Sequence, residues 1–150
     1  MSDLRELRDL YQEVILEHSK KPRNYGVLDS ANHKAEGYNP LCGDHFTIFL
    51  NMRDGAIAEI GFQGAGCAIS KASASMMTQA LKGKSALEAE ALFTRFHDLV
   101  TGQAENADQL GKLAVFAGVS EYPLRVKCAT LAWHAMRAAL KGEEQAVSTE

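Results

Sequence analysis

His45-Phe46-Thr47-Ile48-Phe49-Leu50-Asn51-Met52-Arg53-Asp54-Gly55-Ala56-Ile57-Ala58-Glu59-Ile60-Gly61-Phe62-Gln63 runs directly into Gly64-Ala65-Gly66-Cys67 and a string of small residues. Phe46, Ile48, Leu50 and Met52 recur at every second position, the period of a half-buried strand, and Asp-Gly at 54–55 is a hairpin signal leading into a second strand over 56–63. Past Gly64 the period changes, and the stretch from about Ala68 to Leu81, closed by Gly83, reads as a helix. Working outward, Leu4, Leu7, Tyr11, Val14, Ile15 and His18 stand at helical spacing, so residues 3 to 20 read as an amphipathic helix ending before Pro22. Residues 33 to 38 offer a third strand. Ser85 and Glu88 form a capping-box pattern for a helix reaching about Val100 and stopping at Gly102. A polar connection leads to an apolar segment from Asp108 to Phe116, and Pro123 precedes a long helix from Leu124 to about Lys141, with Gly142 as its stop. Helix, strands, then helices predict an α+β fold: a small antiparallel three-stranded sheet packed with about five helices, one domain over 1–142 and a polar tail at 143–150 expected to be disordered.

The chain has 150 residues, with 16 Lys plus Arg against 19 Asp plus Glu and a net charge of −3. A chain of this length buries about 68 to 70% of its unfolded surface, enough for a core without staples. Neither sign dominates a long stretch, which argues against a nucleic-acid face. The apolar runs are far shorter than the roughly 20 residues of a membrane span. No charged region followed by an apolar one opens the chain, so a cytoplasmic protein with reduced cysteines is expected.

Three cysteines punctuate this framework, Cys42, Cys67 and Cys128, and the first is followed by Asp44 in Asn39-Pro40-Leu41-Cys42-Gly43-Asp44. Three thiolates and a carboxylate complete a tetrahedral set for zinc, and the odd count argues against a closed disulfide framework. Cys42 and Asp44 lie on a Gly-containing loop just before a strand. Cys67 stands at a helix start, where free N–H groups favour a thiolate. Cys128 lies in the first turns of the last helix, with Arg125 three residues earlier on the same face. Three thiolates and a carboxylate around Zn2+ leave a formal charge of about −2, which Arg125 and Lys127 would offset. The competing reading is that buried cysteines act as small hydrophobes, most seriously for Cys128 beside Val126, Ala129 and Leu131. Histidines offer other ligands: His45 adjoins Asp44, whereas His18, His97 and His134 fall in helices and His33 has no telling context. Arg23 is expected to cap neighbouring carbonyls.

Tyr11, Val14-Ile15, His18 and Pro22-Arg23-Asn24, then Asn39-Pro40-Leu41-Cys42-Gly43-Asp44, Gly64-Ala65-Gly66-Cys67-Ala68-Ile69-Ser70 and Arg125-Val126-Lys127-Cys128-Ala129-Thr130-Leu131 together resemble the IscU/NifU-like iron-sulfur cluster assembly proteins of the SufU type, over about Leu4 to Leu140. The family's cluster-scaffold branch carries histidine immediately before its third cysteine. This chain has Lys127 there, and a longer stretch between the second and third cysteines, as in the SufU branch. The resemblance implies zinc held by Cys42, Asp44, Cys67 and Cys128, and a sulfurtransferase role in which Cys42 accepts persulfide sulfur from a pyridoxal-phosphate cysteine desulfurase of SufS type. Arg125 and Lys127 would offset charge, and Arg125 would also serve catalysis by orienting the persulfide. The chain would be a sulfur acceptor rather than a stand-alone turnover enzyme, passing sulfur to downstream iron-sulfur assembly proteins. One alternative is a scaffold that assembles a [2Fe-2S] cluster on the same residues, although a lysine is a poor substitute for a neutral nitrogen ligand. A second is a structural zinc module mediating protein contacts.

Overall fold

The computed structural model describes residues 12–40, 43–103, 108–142 and 147–148. Part of the first expected helix, including Leu4, Leu7 and Tyr11, lies outside the described residues. So does Cys42. The elements are α1 (Glu13–Lys20), β1 (His33–Asn39), β2 (Asp44–Arg53), β3 (Ala56–Ala65), α2 (Ala68–Leu81), α3 (Ala86–Val100), a 3-10 segment (Asp108–Glu121), α4 (Pro123–Leu140) and β4 (Val147–Ser148).

The hairpin forms where its turn chemistry demands. Asp54 and Gly55 both adopt positive φ, 53° and 78°, the combination that matches the twist of two antiparallel strands. Phe46, Ile48 and Leu50 are fully buried, opposite Gly64, Phe62 and Ile60. The expected alternation fails before its last step: Phe49 and Asn51, on the other face, are buried as well, and past a register shift between Asn51 and Met52 the last residue of the series, Met52, is only half-buried. β1 pairs antiparallel with β2 from His33 opposite Leu50 to Asn39 opposite Asp44. The antiparallel three-stranded sheet is thus as expected, and Val147–Ser148 of the tail add a two-residue parallel pairing to Gly37 and Tyr38 on its β1 side, where the composition suggested disorder.

α2 is the small-residue helix, buried along most of its length because Ala72, Ser73 and Ala74 let its neighbours approach closely. α3 begins on the full capping box, the Ser85 hydroxyl accepting from Glu88 N–H and the Glu88 carboxylate from Ser85 N–H, both at 3.1 Å. α4 packs across β1, β2 and α2. Its Trp133 stacks on Phe96 at 4.5 Å and donates from Nε1 to Ser73 Oγ at 3.1 Å, which satisfies the polar edge of the largest buried side chain. Between α3 and α4 the apolar segment is a 3-10 run rather than an α-helix. Its buried residues, Leu110, Leu113, Phe116 and Val119, recur every three positions, the 3-10 period, and Gly111 breaks it with φ 56° and ψ −129°.

Candidate metal centre

Asp44, Cys67 and Cys128 come together where the starts of β2, α2 and α4 meet. One carboxylate oxygen and the two sulfurs lie within 4.8 Å of one another. Asp44 and Cys128 are fully buried, and Cys67 is half-buried. Two sulfurs sharing a tetrahedral zinc at about 2.3 Å would stand roughly 3.8 Å apart, so the donor set fits one ion with little movement. The other requirement of a ligand is a group with capacity to spare. Asp44 Oδ1 accepts the Cys67 N–H at 3.0 Å, whereas the buried Oδ2 has no partner among the described residues. A carboxylate oxygen left without a donor in the interior is costly unless something positive comes to it.

Local contacts hold each donor in place once packing has brought them together. Cys67 is the N-cap of α2, and its sulfur accepts from Ser70 N–H at 3.5 Å, with Ser70 Oγ 3.6 Å away. The thiol of Cys128, donating to Cys67, together with that Ser70 N–H, lowers the Cys67 pKa from 9.0 to about 6, against burial and the Asp44 charge, which raise it. Cys128 can also donate to Leu124 O at 3.6 Å. Gly66 is required for lack of space: a Cβ there would lie 2.8 Å from Asp44 Oδ1 and closer still to Ser70 Oγ. At Gly64, with φ 139°, a Cβ would meet Phe46 Cα at 2.8 Å and overlap the His45 carbonyl. The two glycines let the end of β3 and the turn into α2 lie tightly against β2 and deliver Cys67 beside Asp44.

His45 is not brought to the centre. Neighbouring residues on a strand face opposite ways, so with Asp44 buried His45 turns outward, 3.4 Å from Glu36 and edge-on to Tyr38. His18 bonds Ser75 Oγ at 2.7 Å, His33 bonds Ala139 O at 2.7 Å, and His97 and His134 pack around Phe93. Arg125 and Lys127 are half-buried at the start of α4, Arg125 one turn before Cys128. Arg23 does meet a neighbouring carbonyl, Lys21 O at 2.6 Å, and also pairs with Glu17.

Several supporting residues escaped the reading of the sequence. Ser75 Oγ accepts from Arg23 N–H at 2.8 Å, and Asn24 Nδ2 donates to Thr78 Oγ1 at 2.9 Å, so the Pro22-Arg23-Asn24 turn is bolted to α2. The signal was the presence of hydroxyls three apart on a helix of mostly small and apolar residues, buried along most of its length.

Two cysteines and an aspartate gathered at the starts of three elements of an α+β domain form a donor set that could hold a metal ion. The model for the NifU-like N terminal domain matches residues 10–129. The chain belongs to that family. It is 43% identical over 139 residues to the iron-sulfur cluster assembly scaffold protein IscU of Streptococcus pyogenes, covering 92% of this chain and 87% of that one. It is 40% identical over 139 residues to the zinc-dependent sulfurtransferase SufU of Bacillus subtilis, covering 92% and 94%. A crystal structure from Fervidobacterium islandicum, described as a candidate iron-sulfur cluster assembly scaffold protein for the SUF system, superposes with a TM-score of 0.83 at 34% identity, covering 87% of this chain and 96% of that one. Among the described residues no helix is long and apolar enough to cross a membrane.

Proposed function

We propose that this protein serves iron-sulfur cluster assembly as a zinc-dependent sulfur acceptor, working with a cysteine desulfurase. The observation that carries the reading is the buried Asp44 carboxylate beside the sulfurs of Cys67 and Cys128, its Oδ2 without a partner among the described residues. The likeness to a relative named as a zinc-dependent sulfurtransferase supports it. Cys67, Cys128 and Asp44 would hold the ion, with Cys42 as the fourth ligand and the nucleophile. Zinc when bound has no redox chemistry, keeps thiolates deprotonated at neutral pH and tolerates ligand exchange.

The transfer is a thiol-persulfide exchange. The Cys42 thiolate attacks the outer sulfur of the desulfurase's cysteine persulfide. A new S–S bond forms at Cys42 as the donor's S–S bond breaks, and the donor cysteine leaves as a thiolate with the electron pair, so no external oxidant or reductant is consumed. The Cys128 thiol and the Ser70 N–H favour the thiolate of Cys67. Arg125 and Lys127 supply positive charge beside an anionic centre and an anionic cargo, and Arg125 orients the persulfide.

Elemental analysis of protein purified without added metal, followed by incubation with a pyridoxal-phosphate cysteine desulfurase and cysteine, tests both halves. One zinc per chain and a gain of one sulfur atom on the Cys42 peptide are expected. Cys67→Ser and Cys128→Ser should lose the zinc, whereas Cys42→Ser should keep it and lose sulfur acceptance; undiminished sulfur uptake by Cys42→Ser would reassign the nucleophile. Scaffold names among the relatives favour a second reading, assembly of a [2Fe-2S] cluster on the same residues. A cluster that forms on the unmodified protein under anaerobic iron and sulfide, and passes to an apo-ferredoxin, would decide for it.

A further inference from the structure

We propose that Tyr25 is a positioning residue for the metal centre: its hydroxyl holds the end of β3 at Gly64 and thereby fixes where Cys67 presents its sulfur. The Tyr25 O–H donates to Gly64 O at 2.7 Å, and Gly64 N–H reaches the same oxygen at 3.3 Å. Both polar groups of one glycine are thus held by one hydroxyl, three residues before Cys67. Gly64 cannot anchor itself through a side chain, because the approach of His45 and Phe46 leaves no room for a Cβ. The tyrosine adds, on the side of β3 away from β2, to the pairing that already joins Gln63, Gly64 and Ala65 to β2.

Tyr25 is itself well placed to act as a brace. Its ring stands edge-on to the buried Phe62 at 5.1 Å, and Gly26 N–H bonds Phe62 O at 2.7 Å. On the other side Lys71 Nζ lies over the ring, 5.7 Å from its centroid, and Lys71 N–H bonds Cys67 O at 3.0 Å in the first turn of α2. The side chain therefore touches the structure both before and after Cys67. At its base the loop is fastened to α2 by the Ser75 and Thr78 hydroxyls. Yet Tyr25 is 47% exposed, so its hydrogen bonds add little to global stability and their effect is local.

The inference rests on the metal-centre reading, and the test separates the two. Tyr25→Phe keeps the ring and removes only the hydroxyl; Val27→Ala, an exposed change in the same loop, is the control. Zinc release to a chromogenic chelator and, in metal-free protein, iodoacetamide alkylation of the Cys67 peptide are measured for each. Tyr25→Phe should release zinc and alkylate about three- to ten-fold faster than the unmodified protein, as expected for loss of a hydrogen bond that orders a ligand, and Val27→Ala should do neither. Unchanged rates in a folded Tyr25→Phe, or loss of its folded circular dichroism, would overturn the positioning role. If the unmodified protein takes up no zinc, the metal reading fails and the alkylation rate alone decides for or against the brace.

Discussion

Replacing Asp44 with asparagine should stabilise the metal-free protein while weakening its response to zinc. Asparagine keeps an oxygen to accept the Cys67 N–H at 3.0 Å, so the bond that positions Cys67 survives. What changes is the second oxygen, buried without a partner among the described residues, on a carboxylate that lies beside two sulfurs. A buried unsatisfied polar atom costs about 1–3 kcal/mol, and a charged one more. Relief of that cost should raise the metal-free Tm by about 3–10 °C, since 1 kcal/mol moves a domain of this size by about 2–4 °C. With zinc the sign reverses. Losing a carboxylate ligand should weaken binding by at least about 100-fold, removing about 2.7 kcal/mol of the stabilisation that saturating zinc confers. Differential scanning calorimetry with chelator and with zinc reads both numbers. A metal-free Asp44→Asn protein melting below the unmodified one would show that Oδ2 is satisfied without metal and would remove the main argument for the site.

Gly66→Ala should lose zinc binding and about 1–3 kcal/mol of stability, measured by metal stoichiometry and urea midpoint, because its Cβ would press on Asp44 and Ser70. Ser75→Ala strands both His18 and the Arg23 N–H and should cost about 1–3 kcal/mol in urea unfolding with zinc content unchanged. In metal-free protein the Cys67 thiolate should titrate near pH 6 by ultraviolet absorbance, and Cys128→Ala should move that midpoint upward, since the Cys128 thiol is the largest cause of the shift. The native state is then the poorer proton binder between pH 6 and 9, so this contribution to stability is full above pH 9 and is lost as pH falls through 6. A metal-free melting curve flat across that window would contradict it.

What the sequence determined by itself is what local physics governs. The strand alternation, the Asp54-Gly55 turn, the Ser85–Glu88 capping box and the Pro123 start each depend on a few neighbouring residues, and those elements lie where they were expected. The cysteines at element starts were legible for the same reason. Whether they met was not, because Asp44 is 23 residues from Cys67, and Cys128 lies on another helix, so their encounter depends on how β2, β3, α2 and α4 pack. Packing also decided that His45 faces away while Asp44 faces in, that the segment after Asp108 closes as a 3-10 run, and that Ser75 and Thr78 fasten a loop some fifty residues distant. It decided too that the space beside Asp44 admits no side chain at position 66, because Asp44 and Phe46 of β2 and Ser70 of α2 already occupy it.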